Sequence, residues 1–547
     1  MTGLGCTNLK AMNADPTILL TALGQELLAR LAAEPDSGGL ALAVRLRREY
    51  PADLVAAATA QHELRLAARA KFSRAADMLF TRSGYEQSSS EPIARYRAER
   101  FGDARRVADL CCGIGGDLLA LAPGREALAV DRDEVHAQLA LHNASVYGET
   151  ENVRALVADV RDVNLADLDA VFIDPARRSG PGAASAGSGT ASAGLGTASA
   201  RPHAASSRAG TASAGSGAAS SRAAAAAAGS GAASSRAAAA SARGMSGSPG
   251  TAQRFRAGLS EPPLDWCFAL ADRVPAVCVK AAPGLPLDLL PDGWEVEFIA
   301  DGRDLKEAVL WSPALATAPP ADSGAPRRAT VITGTGPRTL VAYPGDPVPV
   351  TEPGEYLLDP NPAVTRAGLV EDLARALGSG AGVGRDDSGC VDHSDGVDHS
   401  GCVDHSDGVD HSDGVGHSDG VGHSDGVGHS GCVDHSDGVA KIDPRIAFLT
   451  LDWPAQTPFA RTLRVLDSAP WNEKRFAKRL RELGIGAADI RRRGLAGDVD
   501  QIHRRLKLAG PNRGTIVITR VNDKPWGLIC TDPGSTQHGE NEPAKRH

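Results

Sequence analysis

The sequence predicts an α/β fold: a mostly parallel sheet with covered faces, a helical N-terminal extension and a small C-terminal α+β domain. Three observations carry this. Between residues 105 and 180, short apolar runs tipped with acids alternate with helix-like segments, a pattern that needs crossover helices and a sheet buried on both sides. Before it, leucines recur at helical spacing. After residue 440, strand and helix patterns mix again.

The elements follow in order. Residues 1–100 read as a helical extension: in "PTILLTALGQELLARLA" Pro16 stands near a start, and Leu19, Leu20, Leu23, Leu27 and Leu28 follow on helical turns. Residues 101–180 and 254–315 read as one α/β domain. Its strands are expected in "RRVADLCC", "EALAVDRD", "VRALVADV", "LDAVFIDP" and "PAVCVKAAPG", with "WEVEFIA" and "EAVLWSP" as a hairpin-like pair. An Ala/Gly/Ser-rich tract at 181–253 interrupts that domain. It has too few core-forming residues to pack and is expected to be disordered. Residues 316–385 read as a connector and 386–439 as a disordered hexad repeat of the "VDHSDG" type. Residues 440–532 read as the α+β domain, and 533–547 as a disordered tail.

Composition narrows the class. The chain has 547 residues and a net charge of −9, so no global basic charge points to nucleic acid. Aromatics make up only 4%, which leaves a mainly aliphatic core. The nine cysteines show neither a disulfide framework nor a zinc-type spacing. The first residues lack a basic segment followed by an apolar one, and no apolar run is long enough to span a bilayer. A cytoplasmic protein is expected. The repeated Asp and His of the hexads are ligand types, but Gly and Ser between them preform no geometry, so no metal site is expected.

The charge is uneven. Residues 461–513 hold fourteen Arg or Lys against six acids, the usual footprint of polyanion binding. RNA is the expected partner, held through phosphate contacts.

Chemistry concentrates in "VADLCCGIGGDLLALA". A strand ends at Asp109, a turn follows with Cys111, Gly113, Gly115 and Gly116, and a helix begins near Asp117. The glycines let a backbone approach a ligand. The dinucleotide fingerprint fails, because Leu118 stands three residues beyond Gly115. An acid at the strand tip would repel a pyrophosphate but suits an ammonium. The next strand ends at Asp131, where a carboxylate can accept both hydroxyls of a ribose. The third ends at Asp159, beside the expected place of an adenine. Together these suit S-adenosylmethionine.

The stretch "DLCCGIGGD…AVDRDEVHAQLALHNASVYG" resembles the class I S-adenosylmethionine-dependent methyltransferases, which have a Rossmann-like sheet. Within them it is most similar to the trimethylguanosine-synthase-like and bacterial RNA methyltransferase branch. Residues 461–531 resemble the THUMP-like domain that accompanies such enzymes, and "DPARR", "VKAAPG" and "KEAVLW" look like parts of the same two-domain family. The resemblance implies S-adenosylmethionine as cofactor. Asp109 and Gly113 would flank its methionine part, Asp131 its ribose and Asp159 its adenine.

The fourth strand ends "VFIDPARRSG". Enzymes of this kind that methylate exocyclic amino groups end this strand with an acid or amide, two prolines and an aromatic. The side-chain oxygen and a proline carbonyl accept the amino hydrogens and turn its lone pair outward, while the aromatic stacks on the base. Asp174 and Pro175 match; Ala176 and Arg177 do not. A guanidinium plane can stack on a base or bind phosphate, so Arg177 is expected to position one or the other. Lys280, at the tip of the next strand, could approach the same cleft. The expected reaction is methyl transfer to a base nitrogen of RNA. The alternative is a non-catalytic RNA-binding module that keeps the fold. A structural ion pair between Asp174 and the arginines is the bland alternative for the motif.

Overall fold

A computed structural model describes residues 15–34, 40–177, 260–319, 324–379, 438–495 and 497–534. The tracts expected to be disordered, at 181–253 and up to residue 437 of the hexad repeat, lie outside the described residues, as does the tail beyond residue 534.

The extension is helical: a short 3-10 turn at Pro16–Leu20, then α1 (Ala22–Ala33), α2 (Leu40–Leu46), α3 (Ala52–Ala68), α4 (Arg82–Gln87) and α5 (Glu91–Glu99). The start of α1 is capped by Thr21, whose side chain accepts from the Gly24 amide. Leu27, Leu28 and Leu31 then face a core shared with Phe72, Met78, Leu79 and Phe80. That core continues into the next domain through Ile114 and Leu119.

The strands of the first sheet run β1 (Arg106–Leu110), β2 (Glu126–Asp131), β3 (Val153–Val157) and β4 (Ala170–Ile173). A two-residue pair, β5 (Ala176–Arg177) and β6 (Ser260–Glu261), brackets the Ala-rich tract. Then come β7 (Ala276–Ala281), β8 (Glu295–Asp301), β9 (Asp304–Trp311), β10 (Arg327–Thr333) and β11 (Gly336–Val341). Their order in space is β11-β10-β8-β9-β7-β4-β1-β2-β3. All neighbouring pairs are parallel from β3 to β7, while β9 runs antiparallel between β7 and β8. The helices α6 (Leu118–Leu121) and α7 (Glu134–Val146) are the first two crossovers. The valines, alanines and isoleucine of β1 and β4, and Val277 and Val279 of β7, are fully buried, as their apolar runs require.

The second sheet holds β12 (Tyr356–Pro360), β13 (Ala440–Lys441), β14 (Leu449–Leu451), β15 (Ala460–Pro470), β16 (Ile485–Arg492), β17 (Asn512–Val521) and β18 (Lys524–Thr531), ordered β13-β14-β12-β15-β18-β17-β16. Helices Glu473–Glu482 and Val499–Leu506 cover one face, with Phe476, Leu480, Ile502 and Leu506 against Ile516, Ile518 and Ile529.

Residues 316–385, read from sequence as a connector, build both sheets. They supply β10 and β11 to the first sheet and β12 to the second. The helices Pro362–Ala367 and Val370–Gly378 bury Ala363, Val364 and Leu373 in the same core as Val277 and Val296. The apolar residues here are too evenly mixed with Pro and Gly to show a period, so the packing was not visible locally.

Candidate active site

The carboxyl ends of β1, β4 and β7 lie side by side because those strands are adjacent and parallel. This places Asp109, Asp174 and Lys280 at one sheet edge. Asp109 is 1% exposed, and neither carboxylate oxygen has a hydrogen-bond partner among the described residues. Burial, and then the nearby charges of Asp117 and Asp174, push its carboxyl well above the usual range. Lys280, also buried, opposes that shift. A buried unpaired carboxyl costs free energy, about 1–3 kcal/mol in mutational series, and the described residues provide no donor that offsets it.

The Nζ of Lys280 donates to Oδ2 of Asp174 at 2.7 Å and lies 3.9 Å from Asp117. Asp174 thus pairs with a lysine on the neighbouring strand. The side chain of Arg177 and all of Arg178 lie outside the described residues; the backbone of Arg177 pairs with Ser260. Asp174 keeps 34% side-chain exposure, enough to meet a substrate. Pro175 is buried directly behind it.

Asp117 does not cap its helix with a side-chain bond. It pairs with Arg97 of α5, which also binds Glu307 of β9 and lies over the ring of Phe172 at 5.1 Å. Ser89 donates to Glu307 at 3.1 Å. Lys71 caps the end of α4, with Nζ donating to the carbonyls of Tyr85 (2.6 Å) and Ser88 (2.9 Å). Burial first, then repulsion from Lys280 and Lys306, push its ammonium down to about 8. The helical extension therefore forms part of the site wall. Sequence reading missed Lys71, Ser89, Arg97, Asp117 and Glu307. Asp117 had a local signal, standing at the end of "GIGGD"; the others had none.

The glycine turn is shaped by its backbone. Cys111, Gly113 and Gly115 all take positive φ, at 61°, 53° and 82°. A Cβ on Gly113 would meet nothing within 4 Å, whereas one on Gly115 would lie 3.1 Å from Cα of Ala140. Gly113 therefore leaves open space for a ligand, and Gly115 lets α7 pack close. The buried Asn143 of α7 locks the arrangement. It accepts from the Leu79 amide (2.8 Å) and donates to the Leu79 and Ile114 carbonyls (3.0 and 2.9 Å).

Asp131 ends β2 beside this turn. It accepts from the amides of Gly113 and Asp133, each at 2.9 Å, and His136 lies 3.7 Å away. Burial would raise its carboxyl, but the bonds from His136, Asp133 and Gly113 hold it below the usual range. Asp159 caps the 3-10 turn Val160–Asp162 and pairs with Arg161 at 2.9 Å, while Arg161 also binds Glu261 next to the β5–β6 pair. Asp109, Cys111, Gly113, Gly115 and Asp131 thus lie at the carboxyl ends of the adjacent strands β1 and β2, and Asp159 follows the end of β3, one strand further out.

Comparisons match this layout. Residues 104–182 match the family model of RNA cap guanine-N2 methyltransferases, and 460–532 that of THUMP-like domains. Residues 14–68 match a domain of unknown function. The chain is 27% identical over 450 residues to an uncharacterised S-adenosylmethionine-dependent methyltransferase of Mycobacterium tuberculosis, in strains CDC 1551 and H37Rv. That match covers 81% of this chain and 85% of the relative.

By these matches the chain is an S-adenosylmethionine-dependent methyltransferase.

Its fold is also that of a crystal structure named for a methyltransferase from Porphyromonas gingivalis W83. The TM-score is 0.56 and the identity 16%, over 96% of this chain and 99% of that one. The methyltransferase domain carries the THUMP-like domain after it, as the C-terminal motifs led one to expect. No helix among the described residues is long and apolar enough to cross a membrane, and no group of metal-ligating side chains converges among them.

Proposed function

We propose that this methyltransferase transfers the methyl group of S-adenosylmethionine to a nitrogen of an RNA base. The observation that carries the proposal is the placement of the buried Asp109, unpartnered among the described residues, at the same sheet edge as the Lys280-held Asp174. The two RNA-related domain matches support the substrate class.

The residues fit the cofactor. Asp109 would accept from its ammonium, which supplies the donor that the buried carboxyl lacks. Gly113 would leave the backbone bare for close approach. Asp131 has acceptor capacity beyond the two amides it already serves, enough for ribose hydroxyls. Asp159 would stand beside the adenine, with Arg161 fixing its carboxylate. When bound, S-adenosylmethionine supplies an electrophilic methyl on a sulfonium.

The chain's own contribution is positioning. Asp174 would accept a hydrogen of the base amino group while Lys280 holds its other oxygen in place. The Pro175 carbonyl would accept a second hydrogen. The amino lone pair is then directed out of the ring plane, toward the methyl. Arg177 would hold the base or its phosphate. The basic C-terminal domain would capture the RNA by phosphate contacts.

The test uses purified protein, methyl-tritiated S-adenosylmethionine and RNA from cells lacking the protein. Label should appear in a nucleoside of that RNA. Asp174→Ala should abolish it while calorimetry still shows cofactor binding. Wild-type protein that binds the cofactor but labels no RNA overturns the substrate assignment.

A further inference from the structure

A second cluster of charge lies at the same sheet edge, outside the cleft. Arg303 occupies the turn between β8 and β9. Two residues before its end, β12 carries no charge, but its penultimate residue, Asp359, is 4% exposed and binds arginines from two directions. Its Oδ2 accepts from Arg303 at 3.0 Å, and its Oδ1 from Arg493, just past β16, at 2.8 Å. Arg461 faces Asp359 in the β12–β15 register and pairs with Asp532 at 2.8 Å. Arg491, on β16 two residues before Arg493, lies close enough for its charge to act on both Arg303 and Arg493. It is half-buried, and its side chain has no hydrogen-bond or ion-pair partner among the described residues.

Four guanidiniums therefore gather around two carboxylates. Arg303 registers the crowding: burial first, and repulsion from Arg491, Arg461 and Arg493 against the pull of Asp359, lower its affinity for its proton. Asp359 between Arg303 and Arg493 makes sense as a clasp joining the two sheets. A clasp does not account for Arg491, whose charge only adds repulsion. An anion would offset it, and guanidinium forks match phosphate oxygens in pairs.

The place fits such an anion. β8 and β4 run in the same direction, because both lie antiparallel to β9 or parallel to β7, which is itself antiparallel to β9. The Arg303 turn thus belongs to the edge that carries Asp174 and Lys280. Glu307, which meets Ser89 and Arg97 in the cleft wall, is four residues along β9 from Arg303, about 13 Å of strand. That is a span of a few nucleotides.

We propose that Arg303, Arg461, Arg491 and Arg493 form a phosphodiester-binding site that passes an RNA strand from the THUMP-like domain to the methyl-acceptor cleft. This rests on the reading of RNA as substrate.

The test is binding of a fluorescein-labelled hairpin RNA with a single-stranded tail, measured by anisotropy over a series of salt concentrations. Arg491→Ala should weaken binding about fivefold or more and lower the salt slope by about one phosphate contact. Arg491→Glu should weaken it further, and both variants should keep the wild-type melting temperature and the wild-type calorimetric affinity for S-adenosylmethionine. Wild-type protein that binds this RNA, with Arg491→Ala and Arg491→Glu binding equally well at the same salt slope, overturns the site and leaves the substrate class standing. Wild-type protein that neither binds nor methylates RNA overturns both.

Discussion

The Lys280 ammonium reaches the Asp174 carboxylate across adjacent strands, 2.7 Å from Oδ2, although 106 residues separate them in sequence. Under the proposed function that contact makes Lys280 a positioning residue, acting on the substrate through Asp174. Lys280→Met should lower kcat by about tenfold to a hundredfold and leave KM within about threefold. Lys280→Arg should recover part of the loss, which a purely structural role would not require. Single-turnover transfer assays with saturating cofactor read both effects.

Under the proposed function Asp109 trades stability for cofactor binding. Asp109→Asn keeps the shape and removes the repulsion with Asp117 and Asp174. It should stabilise the fold by about 1 kcal/mol at pH 8, in line with other relieved buried charges. It should also weaken cofactor binding by about tenfold or more. Urea denaturation and calorimetry on the same preparation check the pair. A loss of stability would assign Asp109 a structural partner instead.

The same carboxyl sets a pH dependence. Its folded-state pKa lies well above the ordinary 3.8 of the unfolded chain. Between those values the folded state holds the extra proton, so this group's contribution to stability falls as pH rises. The advantage of Asp109→Asn should therefore grow from pH 5 to pH 8. A bound ammonium favours the ionised carboxyl, so cofactor binding should release a proton and tighten with pH over the same range. Calorimetry in buffers of differing ionisation enthalpy counts that proton.

Two glycines two residues apart should behave differently. Gly115→Ala puts a methyl 3.1 Å from the Ala140 backbone at a φ of 82° and should cost about 1–3 kcal/mol of stability. Gly113→Ala meets open space at a φ of 53° and should cost about 1 kcal/mol, with its larger effect on cofactor affinity. Thermal denaturation and calorimetry together separate them.

Much of the sheet was legible. Strand ends at Asp109, Asp131 and Asp174 follow from apolar runs meeting acids, and those runs are local. The basic excess of residues 461–513 was legible for the same reason. The contact between Asp174 and Lys280 was not legible, because strand order decides which side chain can reach the carboxylate; the alternative ion pair with the arginines beside Asp174 falls on side chains outside the described residues. Arg97 was illegible: nothing near it announces a buried guanidinium shared by Asp117 and Glu307.

The sequence by itself determined the succession of strand, glycine turn and helix, the acids at the strand tips and the charge of the C-terminal domain. Each of these depends on neighbours a few residues away. Only the tertiary structure decided that β9 inserts between β7 and β8, that residues 327–341 extend the sheet, and that Asp109 is left without a partner among the described residues. Those outcomes depend on how whole layers pack, since a buried carboxyl's surroundings are assembled from strands and helices that no local pattern connects.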